Sequence, residues 1–324
     1  MRSLLKNRFS EGVVWGITGA LLIFGAFATA CGQGKSEKSS TTQATGNTTS
    51  SSAVSKARKE RLVLGRVPSG NPLDILERME PLIALLEDNL NLDVEVRFAR
   101  DYSDFTSQMT RNAYDLAFCA PFQYITAHEK AGYEAVLRPV RHGSDTYVGI
   151  IITADPSIHS LHDLKGKNIA FVDPGSTSGF LFPLGVLLSN GLTLKDIRYD
   201  FLNGHDNVVL NVLSRSYAAG AVFEGAQKLY GKERASAIRI LARTEPIYNE
   251  PVAISPDFAS KRADLAKKVI DYFTQLHRSP DGVEALRTYD KNVARFVRAS
   301  DSDYDSVRKY AATLPASVIA ESGI

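Results

Sequence analysis

Short apolar runs alternate along the chain with longer stretches in which apolar residues recur every three or four positions. The first kind reads as strand and the second as amphipathic helix. Strands are predicted over residues 62–67, 93–98, 116–119, 135–140, 148–152, 168–172, 197–201, 219–223 and 238–242. Asp93-Val94-Glu95-Val96-Arg97-Phe98 alternates strictly, as a half-buried strand should. A helix over 75–89 carries Met79, Leu82, Ile83 and Leu86 on one face, with Pro81 as a kink or restart. Asp101 is placed to cap a helix through Met109. Asp257 is placed to cap a helix over 259–277, whose stripe is Leu265, Val269, Tyr272, Phe273 and Leu276. Such stripes read as core rather than as ligand-binding boxes.

Alternating β and α units imply an α/β protein, with helices on both faces of its sheets. The last third turns mostly helical. The layout predicted is a first lobe over 61–147, a second over 148–243, and a return to the first over 244–324. A ligand would then lie between lobes, at the C-terminal ends of strands and the N-terminal ends of helices.

The N-terminus has another pattern. Arg2, Lys6 and Arg8 precede an uncharged apolar run of about 16 residues, shorter than the ~20 of a spanning helix. Ala28, Thr29 and Ala30 then lead into Cys31. Residues 1–30 read as a removed export signal. Small residues before a cysteine resemble the bacterial lipoprotein processing site, which would make Cys31 a lipidated N-terminus. Residues 32–60, mostly Gly, Ser, Thr, Gln, Asn and Lys, lack the apolar surface to offset ordering entropy and read as a flexible tether.

The whole chain has 324 residues, enough for two domains, and a formal charge of +2. Loss of Arg2, Lys6, Arg8 and Glu11 with the signal leaves a formally neutral chain. That excludes a nucleic-acid binder, which needs a basic surplus against phosphates. Two cysteines exclude a disulfide framework and a four-cysteine zinc site. His159 and His162 are spaced as a pair of metal ligands without a third, so no metal or cofactor is expected.

The segment Asp173-Pro174-Gly175-Ser176-Thr177-Ser178-Gly179 carries the most chemistry. A strand ends before it, and a helix through Leu188 comes after it. Free backbone N–H groups and three hydroxyls thus meet at a helix N-terminus, where the dipole favours an anion. Gly175 and Gly179 would let a ligand approach the backbone. No Gly-Lys-Ser/Thr is present there, so this is not a Walker loop. A bare capping cluster is the alternative.

This segment resembles the phosphate, phosphite and phosphonate binding proteins of ATP-driven importers. Asp115-Leu116-Ala117-Phe118-Cys119-Ala120-Pro121-Phe122-Gln123-Tyr124, Gly204-His205-Asp206, Ala221-Val222-Phe223-Glu224 and Pro246-Ile247-Tyr248-Asn249-Glu250-Pro251 are similar in order and spacing. Phe296, Tyr304 and Val307 extend the resemblance, which covers about 62–310. It implies a two-lobed type II periplasmic-binding-protein fold, mixed sheets flanked by helices, and binding without catalysis. It further implies that Ser176, Thr177 and Ser178 hold the oxyanion and that Tyr124 and Tyr102 donate from the first lobe. His205 and Glu224 would lie opposite, with Glu250 near the hinge, where the family usually has Asp. Cys119 is read as core.

The implied protein is a monomeric extracytoplasmic lipoprotein that closes about a phosphorus oxyanion and passes it to an ABC permease and its ATPase. A carboxylate such as Glu224 would accept from a protonated oxygen or an ammonium, favouring HPO4-type anions or aminophosphonates over sulfate. Two other readings are a sensory input protein of the same fold and a serine hydrolase using Ser176 or Ser178 with His205 and Asp206. Gly-Ser-Thr-Ser-Gly is not a nucleophile elbow in its usual form.

Overall fold

The computed structural model describes residues 59–316. The export signal, Cys31 and the tether through residue 58 lie outside the described residues. Thirteen strands are present among them: β1 Glu60–Arg66, β2 Leu92–Phe98, β3 Leu116–Phe118, β4 Glu134–Arg141, β5 Thr146–Tyr147, β6 Gly149–Thr153, β7 Asn168–Phe171, β8 Arg198–Phe201, β9 Ala219–Phe223, β10 Arg239–Arg243, β11 Ile247–Tyr248, β12 Val252–Ile254 and β13 Val293–Arg298.

They form a six-stranded sheet in the order β13-β4-β12-β3-β1-β2 and a five-stranded sheet in the order β10-β6-β9-β7-β8. In the first sheet β1 runs parallel to β2 and β3, while β12 and β13 are antiparallel to their neighbours. In the second β7 is parallel to β8 and β9, and β6 and β10 are antiparallel additions. Both are mixed sheets, and the body is two-lobed.

Two chain segments pass between the sheets, one after β4 and one after β10. Each contributes a two-residue strand, and these pair as β5 and β11, Tyr147 opposite Ile247 and Thr146 opposite Tyr248. So short a ribbon has few bonds to break, which suits a hinge.

The predicted strands lie where the apolar runs placed them. The late strands β12 and β13 were missed, so the last third is less helical than expected. Both are antiparallel to their neighbours: β13 forms one edge of the first sheet, and β12 lies inside it between β4 and β3. Two helix expectations need correction. The helix Pro72–Leu90 runs unbroken through Pro81, with Met79, Leu82, Ile83 and Leu86 buried. Farther on, Ser255, not Asp257, caps Pro256–Lys261 by accepting from Phe258 N–H, and a break at Arg262 separates it from Ala263–Gln275. Asp101 caps Tyr102–Thr110 as expected, accepting from Asp104 N–H at 2.7 Å.

Candidate ligand-binding site

β7 ends at Phe171, and the chain turns through Asp173, Pro174 and Gly175. Ser176 caps the helical segment that begins at Thr177: its Oγ accepts from Gly179 N–H at 3.1 Å. The first turn, Thr177–Leu181, is one residue wider than an α turn, and the α-helix Phe182–Ser189 continues directly from it. Gly179 has no room for a side chain, because a Cβ there would overlap Val172. Gly175 likewise lies under Tyr102, a Cβ coming within 3.2 Å of the Tyr102 Cβ. The two glycines therefore allow close protein packing around the row.

Ser176, Thr177 and Ser178 are all buried. Each meets a different first-lobe or hinge group. Phe122 N–H donates to Thr177 Oγ1 at 2.9 Å. Phe122 is the second residue of the helix Pro121–Ala131, so this N–H has no partner within its own helix. The Tyr102 hydroxyl lies within hydrogen-bonding reach of Ser176, and the Tyr147 hydroxyl within reach of Ser178. Burial raises both phenols well above their usual range, so they stay protonated donors at neutral pH.

Asp173 is buried beside this row. It accepts from Gly175 N–H at 2.7 Å and lies within reach of Tyr102 N–H. Burial pushes its carboxyl up to about 6, against which those N–H groups act. Asp173 and Tyr102, with Pro68, Ala99, Asp101 and Asn203, also line a cavity of about 150 Å³.

Four residues stand elsewhere than the resemblance implied, or in other company. Tyr124 does not join the row: its hydroxyl donates to Asp301 at 2.7 Å, and its ring packs edge-on against Tyr304 at 4.9 Å. Glu224 pairs with Arg243 at 2.9 Å, and both are exposed. Glu250 is held by Arg141, which donates to both of its carboxylate oxygens, Nη1 to Oε2 at 2.7 Å. His205 opens the helix His205–Leu213, buried, with its ring edge-on to Phe223 and Nδ1 3.4 Å from Phe223 N. Burial lowers its pKa to about 3, so the imidazole is neutral. Cys119 is core, its thiol buried near the Pro251 carbonyl at 3.7 Å.

Sequence reasoning missed Tyr147, Phe122 N–H and Asp173. Tyr147 could have been suspected, because it is the last residue before the expected lobe boundary. The role of Phe122 N–H is not coded by its side chain at all.

Two mixed α/β lobes joined by a paired crossing ribbon, with the polar row between them, define a type II periplasmic binding protein. A binding protein component of an ABC phosphonate transporter from Pseudomonas aeruginosa has this fold, with a TM-score of 0.71 at 19% identity over 82% of this chain and 94% of its own. So does PhnD1 of Prochlorococcus marinus, solved with methylphosphonate, with a TM-score of 0.70 at 18% identity over 78% of this chain and 97% of its own. The phosphate-import protein PhnD of Mycolicibacterium smegmatis is 27% identical over 281 residues, 79% of this chain and 87% of the relative. Residues 64–304 match the family of ABC transporter phosphonate periplasmic substrate-binding proteins, and the chain belongs to that family.

Proposed function

We propose that this protein captures a phosphorus oxyanion (phosphate, phosphite or a phosphonate) between its lobes and delivers it to an ABC permease. The observation that carries the reading is the row Ser176, Thr177 and Ser178, facing Tyr102, Phe122 N–H and Tyr147 across the cleft. These groups are hydroxyls and amides, each able to donate to oxyanion oxygens. Five hydroxyls and one N–H from both sides suit a guest with three or four oxygens.

Closure arises from the same geometry. Without a guest the two sides satisfy one another directly. An oxyanion inserted between them bonds both lobes at once, and it binds the closed arrangement better than either lobe alone. That differential affinity shifts the hinge population. The β5–β11 ribbon is where the rotation would be taken up.

The protein acts by binding rather than by hydrolysis in this reading. Among the described residues neither Ser176 nor Ser178 has a hydrogen bond to a histidine, and His205 packs on Phe223 instead. Anchoring through a lipidated Cys31, with the domain on its tether as a monomer, completes the proposal. An anchored binder stays near its permease. A sensory role for the same closure would replace the permease by a receptor.

Calorimetry with inorganic phosphate, phosphite, methylphosphonate and sulfate tests the reading. Binding of at least one phosphorus oxyanion, weakened in Thr177→Ala, is expected. Absence of binding to the whole panel would refute it.

A further inference from the structure

The hydroxyl row is neutral, and the two carboxylates the resemblance offers to a ligand are both taken by arginines. One guanidinium nearby is left over. Among the described residues the Arg66 side chain makes no hydrogen bond and no ion pair, and its Nε is buried and unbonded. Arg262 is the other arginine with a buried unbonded Nε, but Asp115 and the Arg61 carbonyl hold its other nitrogens. Taking its Nε–H out of water without a partner is costly, and an anion bound there would offset that cost.

Its position points to what that is. Arg66 is the last residue of β1, in register with Phe98 of β2 and Phe118 of β3. The chain leaving β2 carries Tyr102, and the chain leaving β3 carries Phe122, so Arg66 stands between the two segments that meet the hydroxyl row. Two residues beyond it, Pro68 lines the cavity shared by Tyr102 and Asp173. The Arg66 charge reaches the Tyr102 phenol and the Cys119 thiol, opposing the rise that burial imposes on each.

We infer that Arg66 supplies the positive charge of this site. The inference rests on the binding function proposed above and deepens it by naming the cation that meets the oxyanion. The carboxylates the resemblance offers do not compete for Arg66. Both oxygens of Glu250 accept from Arg141, whose Nε also donates to Asp290 at 2.8 Å. Glu224 is at the surface with Arg243.

Calorimetry on the protein and two variants tests this, using phosphate, phosphite and methylphosphonate. Arg66→Gln should weaken every oxyanion it binds by about tenfold or more, the scale of a lost charge-assisted hydrogen bond. Arg66→Lys, which keeps the charge, should recover part of that loss. Since the Arg66 side chain holds no hydrogen bond in the protein, Arg66→Gln should melt no lower than the unaltered chain, and the melting curve checks this. If folded Arg66→Gln binds the oxyanions unchanged, the inference is overturned while the binding reading stands. If Arg66→Gln does not fold, Arg66→Lys binding no better than a Thr177→Ala control would overturn it instead. No binding of any phosphorus oxyanion by the unaltered protein overturns both.

Discussion

Phe122 N–H donates to Thr177 Oγ1 at 2.9 Å, joining the start of a first-lobe helix to the start of a second-lobe helix. Two helix N-termini therefore face each other, and each offers donors to whatever lies between them. The Thr177 hydroxyl has no other hydrogen-bonding duty among the described residues, whereas Ser176 also caps its own helix through Gly179 N–H. The two hydroxyls should separate on substitution. Thr177→Ala is expected to weaken oxyanion binding several-fold with little change in melting temperature. Ser176→Ala should weaken binding and also cost about 1 kcal/mol of stability, the usual loss of a cap. Calorimetry and thermal melts on both variants check this; equal melting temperatures would remove the capping role.

The tyrosines should divide in the opposite sense. Tyr147→Phe removes a hydroxyl within reach of Ser178, and affinity should fall about three- to tenfold, the range of a neutral hydrogen bond. Tyr124→Phe removes a donor to the Asp301 carboxylate and should lower stability by about 1–3 kcal/mol while leaving affinity alone. Denaturant melts beside titrations would distinguish the two. A loss of affinity in Tyr124→Phe would return that residue to the site.

Asp173 sets a pH dependence. Its carboxyl titrates near 6 in the folded protein against 3.8 in the open chain, because burial disfavours the charge. A carboxyl raised in this way favours the fold fully below about pH 4, and that advantage is lost as pH rises through about 6. Asp173→Asn lacks the transition. The stability of the variant relative to the unaltered protein should therefore rise by roughly 2–3 kcal/mol between pH 4 and pH 7. Urea melts at a series of pH values measure the difference directly, and a flat difference would show that Asp173 titrates normally.

The last helix, Asp305–Ala311, reaches the second lobe through Tyr310. Its ring stacks on Phe182 at 4.2 Å with 7° between planes, and its hydroxyl donates to the Phe182 carbonyl at 3.0 Å. Gly185, one turn on, leaves room for that ring: a Cβ there would overlap the Tyr310 hydroxyl. Gly→Ala inside a helix ordinarily stabilises by about 0.5–1 kcal/mol. Gly185→Ala should instead destabilise by about 1–3 kcal/mol, as overpacking does. With Tyr310→Ala as background the same change should become stabilising, a coupling a double-mutant cycle reads out.

Much of this was legible in the residues. Apolar runs located the strands of both sheets up to β10 because a buried strand must be apolar whatever it pairs with. Asp-Pro-Gly followed by three hydroxyls marked the start of the helix that carries the site, since turn and cap chemistry are local. The crossing strands β5 and β11 escaped notice because two residues hold no periodicity. Tyr124 and Glu250 were legible as types but not as partners. Each meets a group distant in sequence, Asp301 and Arg141, and no local pattern announces such a pairing.

Near neighbours along the chain were enough to set the elements of the lobes and the polar row, because periodicity and capping act within a few residues. Which charges stay free was settled by packing between remote segments. Ion pairs such as Arg141 with Glu250 form between elements more than a hundred residues apart, so the solitude of Arg66 becomes visible only after every other partner has been placed.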